Sequence, residues 1–149
     1  MASPARILVI DDDAGVRKVV TMALEDEGYV VDTAENGSEA IQKSNTRFYN
    51  IALIDIRLPD MQGTNLLTAM KDTTPKMAKI IVTGYPGLQS AVDAANRGAD
   101  GYIVKPFKID DLLRVVKEHL RKQEDAKKHG EEKIREFIET RAAEIERDR

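Results

Sequence analysis

Short apolar runs alternate with longer mixed segments along the chain as far as Leu120. Four runs are rich in β-branched residues, Ile7–Ile10, Val30–Thr33, Ile51–Ile54 and Ile80–Thr83, and a fifth, weaker one is Tyr102–Val104. Runs of this length and branching read as strands. Between them the apolar residues return at helical spacing. Val16, Val19, Val20, Ala23 and Leu24 make an i, i+3, i+4, i+7, i+8 stripe that ends at Gly28, which reads as a C-cap. Ala40, Ile41 and Lys43 suggest a shorter helix, as do Leu66, Leu67 and Met70, and then Ala91, Val92 and Ala95. Ile109, Leu112, Leu113, Val116 and Leu120 form another strong stripe. Asp110 and Asp111 stand in its first turn, where the helix dipole favours carboxylates.

Strand and helix thus alternate five times. Apolar strands separated by helices predict an α/β domain with a parallel sheet covered on both faces and right-handed crossovers. In such sheets a ligand sits beyond the carboxyl ends of the strands, near the point where strand order reverses. Residues 122–149 belong to a different kind of segment, a charged helical extension of a domain that spans 1–121. From 121 to 149, 18 of 29 residues are charged, nine of each sign. Ile134, Phe137, Ile138, Ala142 and Ile145 are the only apolar spacing there, and Gly130 is expected to interrupt the long helix. The stripe could pack on the domain or on a second copy. Arg141 and Glu144 break its heptad register, which argues against a strong coiled coil and leaves a homodimer open.

Composition narrows the classes. The 149 residues are 42% hydrophobic and 33% charged, with a net charge of −3, so no basic field favours nucleic acid or an anionic membrane as a direct partner. The absence of cysteine excludes disulfides, thiolate metal sites and cysteine nucleophiles. No apolar run approaches the ~20 residues that span a bilayer, and residues 1–6 are too short and polar to read as a signal peptide. The expected location is the cytoplasm.

The carboxyl ends of the strands carry the chemistry. The first ends in Asp11-Asp12-Asp13, the third in Asp55, the fourth in Thr83 and the fifth in Lys105-Pro106, whereas Ala34-Glu35-Asn36 offers nothing interpretable. Converging carboxylates repel unless a positive charge sits among them. Mg²⁺ fits as a hard cation held by a few carboxylates, waters and a phosphate. With Lys105 as a second positive charge and Thr83 as a hydroxyl donor, the set suffices for phosphoryl transfer to a carboxylate, which depends on positioning and electrostatics.

Four segments, ILVIDDD (7–13), LIDIRLPDMQG (53–63), IIVTGYPG (80–87) and GYIVKPF (101–107), occur in this order, each at a strand end. Together they make the chain resemble a two-component response regulator receiver domain, CheY-like, from about Arg6 to Arg121. The resemblance implies a five-stranded sheet of order 2-1-3-4-5. It implies that Asp55 is the phosphoacceptor, that Asp12 binds Mg²⁺ directly and Asp11 largely through water, and that the Arg57 backbone carbonyl completes the metal set. Thr83 and Lys105 would contact phosphoryl oxygens, the Lys105–Pro106 bond would be cis, and Tyr102 would change rotamer as Thr83 moves. The donor would be a histidine kinase or phosphotransfer protein. The output would be a downstream protein or oligomerisation, through the fourth helix, last strand and last helix. The chain would then be no enzyme beyond its own phosphorylation and dephosphorylation. Arg57 and Tyr85 would flank the path of attacking water and slow hydrolysis, while Gly84 leaves the site open to a donor.

Plainer readings stand beside these. Asp13 reads as a helix N-cap, but capping does not account for the Asp11 and Asp12 pair. Arg57 to Gly63 reads as a turn, Tyr102 as a half-buried strand aromatic, and His119 and His129 as solvated. A haloacid dehalogenase type phosphatase would use Asp11 as nucleophile with Asp13, Thr83 and Lys105. It fits poorly, since Ala14-Gly15 replaces the pattern such enzymes show and no cap insertion exists. A silent interaction module would gain nothing from clustered carboxylates.

Overall fold

The computed structural model describes residues 3–71, 73, 76–84 and 87–147, apart from the side chain of Leu88. Five strands and five helices alternate: β1 (Arg6–Ile10), α1 (Ala14–Asp26), β2 (Val30–Ala34), α2 (Gly37–Thr46), β3 (Ile51–Asp55), α3 (Gly63–Ala69), β4 (Ala78–Thr83), α4 (Leu88–Asn96), β5 (Gly101–Val104) and α5 (Ile109–Arg147). All strand pairs are parallel, in the order β2-β1-β3-β4-β5. Each strand run expected from the sequence is present, with one or two residues added at its ends. The additions follow from pairing in the ladder rather than from side-chain character, as at Ala78, paired with Ile51.

Alternate residues of each strand feed opposite faces. Leu8 and Ile10 of β1 join Ile54, Leu66, Leu67 and Ile81 in the core under α2, α3 and α4. Ile7 and Val9 join Val20, Leu24, Leu53, Leu112 and Val116 under α1 and α5. The sheet is therefore doubly wound, and β1 and β3 flank the point where strand order reverses.

Local signals end the helices. Asp13 N-caps α1, its Oδ1 accepting from the Gly15 and Val16 amides at 2.8 and 3.1 Å. Gly28 follows α1 with φ +90°, a conformation that an L side chain rarely adopts. Gly130 does not interrupt the last helix. α5 runs unbroken through it, and Gly28 and Gly98 are the glycines at positive φ among the described residues. One glycine costs about 1 kcal/mol relative to alanine, which strong helix formers on either side offset once the helix is nucleated. His119 is half-buried rather than solvated, its Nε2 lying 3.1 Å from where a Gly101 Cβ would stand, while His129 is exposed.

Candidate functional site

Three loops at the carboxyl edge of the sheet meet where strand order reverses. β1 delivers Asp11 and Asp12, β3 delivers Asp55, and one carboxylate oxygen from each lies within 4.8 Å of the others. Asp11 is 3% exposed and Asp55 8%, whereas Asp12 faces solvent. Lys105, just past β5, places its Nζ 2.7 Å from Asp11 Oδ2 and 3.8 Å from Asp55 Oδ2. Its amide donates to the Thr83 carbonyl at 2.7 Å, so the β4 and β5 ends are tied together beside the acids. Thr83 is fully buried, and the Lys105–Pro106 bond is cis.

One lysine does not neutralise the cluster. Burial, then the charge of Asp11, push the Asp55 carboxyl up to about 6, against the pull of Lys105. An oxygen-only donor set with excess negative charge and an open side at Asp12 suits a hard divalent cation such as Mg²⁺.

Neighbouring residues hold these groups in place. The Asp11 amide donates to the Ala34 carbonyl at 3.1 Å, and Asp11 Oδ1 accepts from the Asp13 amide at 2.9 Å. Arg17 of α1 donates from Nη1 to the Asp11 carbonyl at 2.6 Å and pairs with Glu35 at 3.3 Å. The end of β2 thus has a part after all. Glu35 holds Arg17, and Asn36 N-caps α2 by accepting from the Glu39 amide at 2.8 Å. The Asn36-x-x-Glu39 pattern is a capping-box signature readable in the sequence.

The turn after β3 is clamped from two sides. Its Asp60 carboxylate accepts from the Gly37 and Ser38 amides at 2.8 and 2.9 Å, which holds that carboxyl below the usual range. Gly63 donates to the Ile56 carbonyl at 2.7 Å, and a Cβ there would lie 2.2 Å from the Asp55 carbonyl oxygen. Asp60 and Arg17 escaped sequence reasoning, because their partners are 23 and six residues away and carry no motif of their own.

Arg57 is exposed at the rim of this turn, and Gly84 leaves its side of the site open, a Cβ there meeting Lys105 Cβ only at 3.8 Å. Tyr85 lies outside the described residues. The ring of Tyr102 packs partly buried against the core under α4, and its hydroxyl is buried with no hydrogen-bond partner among the described residues. The carboxylate of Asp13 is committed to the α1 cap, which leaves the phosphatase scheme without its second acid.

Residues 7–117 match the profile of the response regulator receiver domain. The transcriptional regulatory protein GlrR of Escherichia coli is 32% identical over 139 residues, 93% of this chain and 31% of that protein. The curated relatives extend well past the match, and the chain spans between about a quarter and a half of their length. A CheY-like receiver domain protein from Methanospirillum hungatei superposes with a TM-score of 0.80 at 45% identity, covering 83% of this chain and 99% of that one. A response regulator from Burkholderia pseudomallei, solved with a phosphorylated aspartic acid, calcium ion and citrate, gives 0.69 at 30% identity, covering 73% and 64%. With strand order, acidic cluster and profile in agreement, this chain belongs to the response regulator receiver family.

Proposed function

We propose that Asp55 is the phosphoacceptor of this receiver and that Mg²⁺ is held by Asp11, Asp12, Asp55 and the backbone carbonyl of Arg57. The observation that carries the reading is a buried carboxylate at the strand-order reversal, within 4.8 Å of two others and 3.8 Å from a lysine. Bound Mg²⁺ would supply charge neutralisation for an arriving phosphoryl group. The chain's own residues do the rest. Asp55 attacks phosphorus with a carboxylate oxygen, and the donor's leaving group departs in line. Lys105 and the Thr83 hydroxyl receive phosphoryl oxygens, and the resulting acyl phosphate is later lost to water. This is self-directed chemistry, with no separate substrate turned over. The phosphorylated aspartate of the Burkholderia relative supports the assignment by analogy.

Phosphorylation adds about −1.5 to −2 charges and three acceptor oxygens, which draws Thr83 toward the site. The Tyr102 ring then follows. Its buried hydroxyl has no partner among the described residues, so the inward position is not deeply favoured over one that reaches water. The readout surface is the face of α4, β5 and α5, where Val92 and Val104 are already exposed. This is a population shift between two states of one domain, residues 1–121, with 122–149 as an appended helix. The donor is a histidine kinase or phosphotransfer protein and the receiver of the signal a downstream protein. Among the described residues no helix is long and apolar enough to cross a membrane, and we place the switch in the cytoplasm.

Intact mass after incubation with acetyl phosphate and Mg²⁺ tests the assignment. One added phosphoryl group in wild type, absent without Mg²⁺ and absent in Asp55→Asn, is the expected result. An adduct that persists in Asp55→Asn and disappears in Asp11→Asn would overturn it.

A further inference from the structure

The last helix has two environments along one face. At 3.6 residues per turn, Ile134, Ile138 and Ile145 fall on the line that Leu112, Val116 and Leu120 occupy earlier in α5. Leu112 and Val116 are fully buried against the sheet. Among the described residues Gln123 makes the last hydrogen bonds from the helix to the domain, donating from Nε2 to the carbonyls of Asn50 and Lys76 at 2.6 and 3.0 Å, at the amino ends of β3 and β4. Beyond it the helix leaves the domain on the side away from the carboxylate cluster. Ile134, Phe137, Ile138 and Ile145 are then 58–67% exposed. Together they make an apolar patch of roughly 400 Å² rimmed by charged side chains, as large as the largest patch on a typical monomer, which is often functional.

The charges beside this patch select its occupant. Lys133 and Arg135 flank its beginning, and Glu144 and Glu146 flank its end. A second copy laid antiparallel brings the basic flank of each helix onto the acidic flank of the other. With Ile134 opposite Ile145, the same register sets the large Phe137 against the small Ala142 and Ile138 against the aliphatic stem of Arg141. The Arg141 guanidinium is already paired with Glu144 at 3.1 Å within its own helix. A parallel, in-register pair does the opposite. It sets Lys133 beside Arg135, Glu144 beside Glu146, and Arg141 against its own copy.

We propose that residues 130–147 form an antiparallel two-helix interface with a second copy of this chain, with the two receivers held at opposite ends of the pair. The interface is independent of phosphorylation and stands whether or not Asp55 is the acceptor.

Sedimentation velocity of the full chain over a rising micromolar series tests this. The mass is expected to climb from that of one chain, 16.6 kDa, toward twice that value. Phe137→Asp should hold it at one chain, and Ala143→Asp, on the opposite helix face, should leave dimerisation intact. All these positions are exposed and past the domain, so folding is not at stake. The chain has no cysteine, so Ile134→Cys and Ile145→Cys report the orientation under oxidation. The antiparallel pair yields a disulfide only when the two variants are mixed. A monomer at every concentration, a dimer indifferent to Phe137→Asp, or a disulfide formed by each variant alone would overturn the proposal.

Discussion

Replacing Asp55 by asparagine should make the metal-free protein more stable. The side chain keeps its size and loses a charge that its surroundings resist. Burial and Asp11 raise the carboxyl from 3.8 to about 6, while Lys105 only partly compensates. The folded state therefore holds the Asp55 proton more tightly than the unfolded chain does. Between those two values the folded protein binds more protons, so stability falls as pH rises through the window and levels off above it. About two pKa units at 1.36 kcal/mol each amount to roughly 3 kcal/mol at neutral pH. Lys105 loses its longer contact, at 3.8 Å, but keeps Asp11 at 2.7 Å, so the net gain should be about 2–3 kcal/mol. For a chain of this length that is roughly 5–10 °C in melting temperature. Urea and thermal unfolding of wild type and Asp55→Asn in EDTA, at pH 7.5 and at intervals down to pH 4, would measure it. The gap should be full above pH 6 and close as pH approaches 4. A variant no more stable than wild type at pH 7.5, or a gap that ignores pH, would refute the charge argument.

Other perturbations probe the scaffold. Gly63→Ala drives a Cβ to 2.2 Å from the Asp55 carbonyl oxygen; it should cost about 1–3 kcal/mol by denaturant titration and slow phosphoryl uptake, because backbone must move. Lys79 is 5% exposed and donates from Nζ to the Leu67 and Met70 carbonyls at 2.8 and 3.1 Å, closing the end of α3. Lys79→Met should destabilise by about 1–3 kcal/mol in the same assay, since those carbonyls lose a buried donor. Asp13→Ala removes the α1 cap and should lower stability by about 1 kcal/mol, while leaving the stoichiometry of phosphorylation by acetyl phosphate unchanged.

Strand and helix identity was legible because both signals are local. The unbroken apolar run at Ile7 to Ile10 and the stripe at Val16 to Leu24 each need only their own residues to be read, and strand-end positions then located Asp11, Asp55, Thr83 and Lys105. What resisted reading depends on pairings that sequence distance conceals. Arg17 supports Asp11 only because the β1 end and α1 fold back on each other. Asp60 caps α2 from the far side of β3. Lys79 looks like a surface lysine until the end of α3 arrives over it. Gly130 misled for the converse reason. A local breaker was weighed alone, and the cooperativity of a 39-residue helix decided the outcome.

The position of Lys105 ties the stability argument to the switch. In the resting chain its ammonium sits on Asp11 at 2.7 Å and stands off Asp55 by 3.8 Å. The group read as the acceptor is therefore the less neutralised of the two buried acids, and Lys105 offsets only part of the burial and Asp11 charge that raise its carboxyl. A phosphoryl group on Asp55 carries more charge than the carboxylate it replaces and reaches outward, into the space nearer Lys105. The lysine then has reason to leave Asp11 for the phosphoryl oxygens, and its backbone is joined to Thr83 on one side and to Pro106 and the start of α5 on the other. On this reading the imbalance that destabilises the unmodified site is what lets phosphorylation move β4, β5 and α5 together.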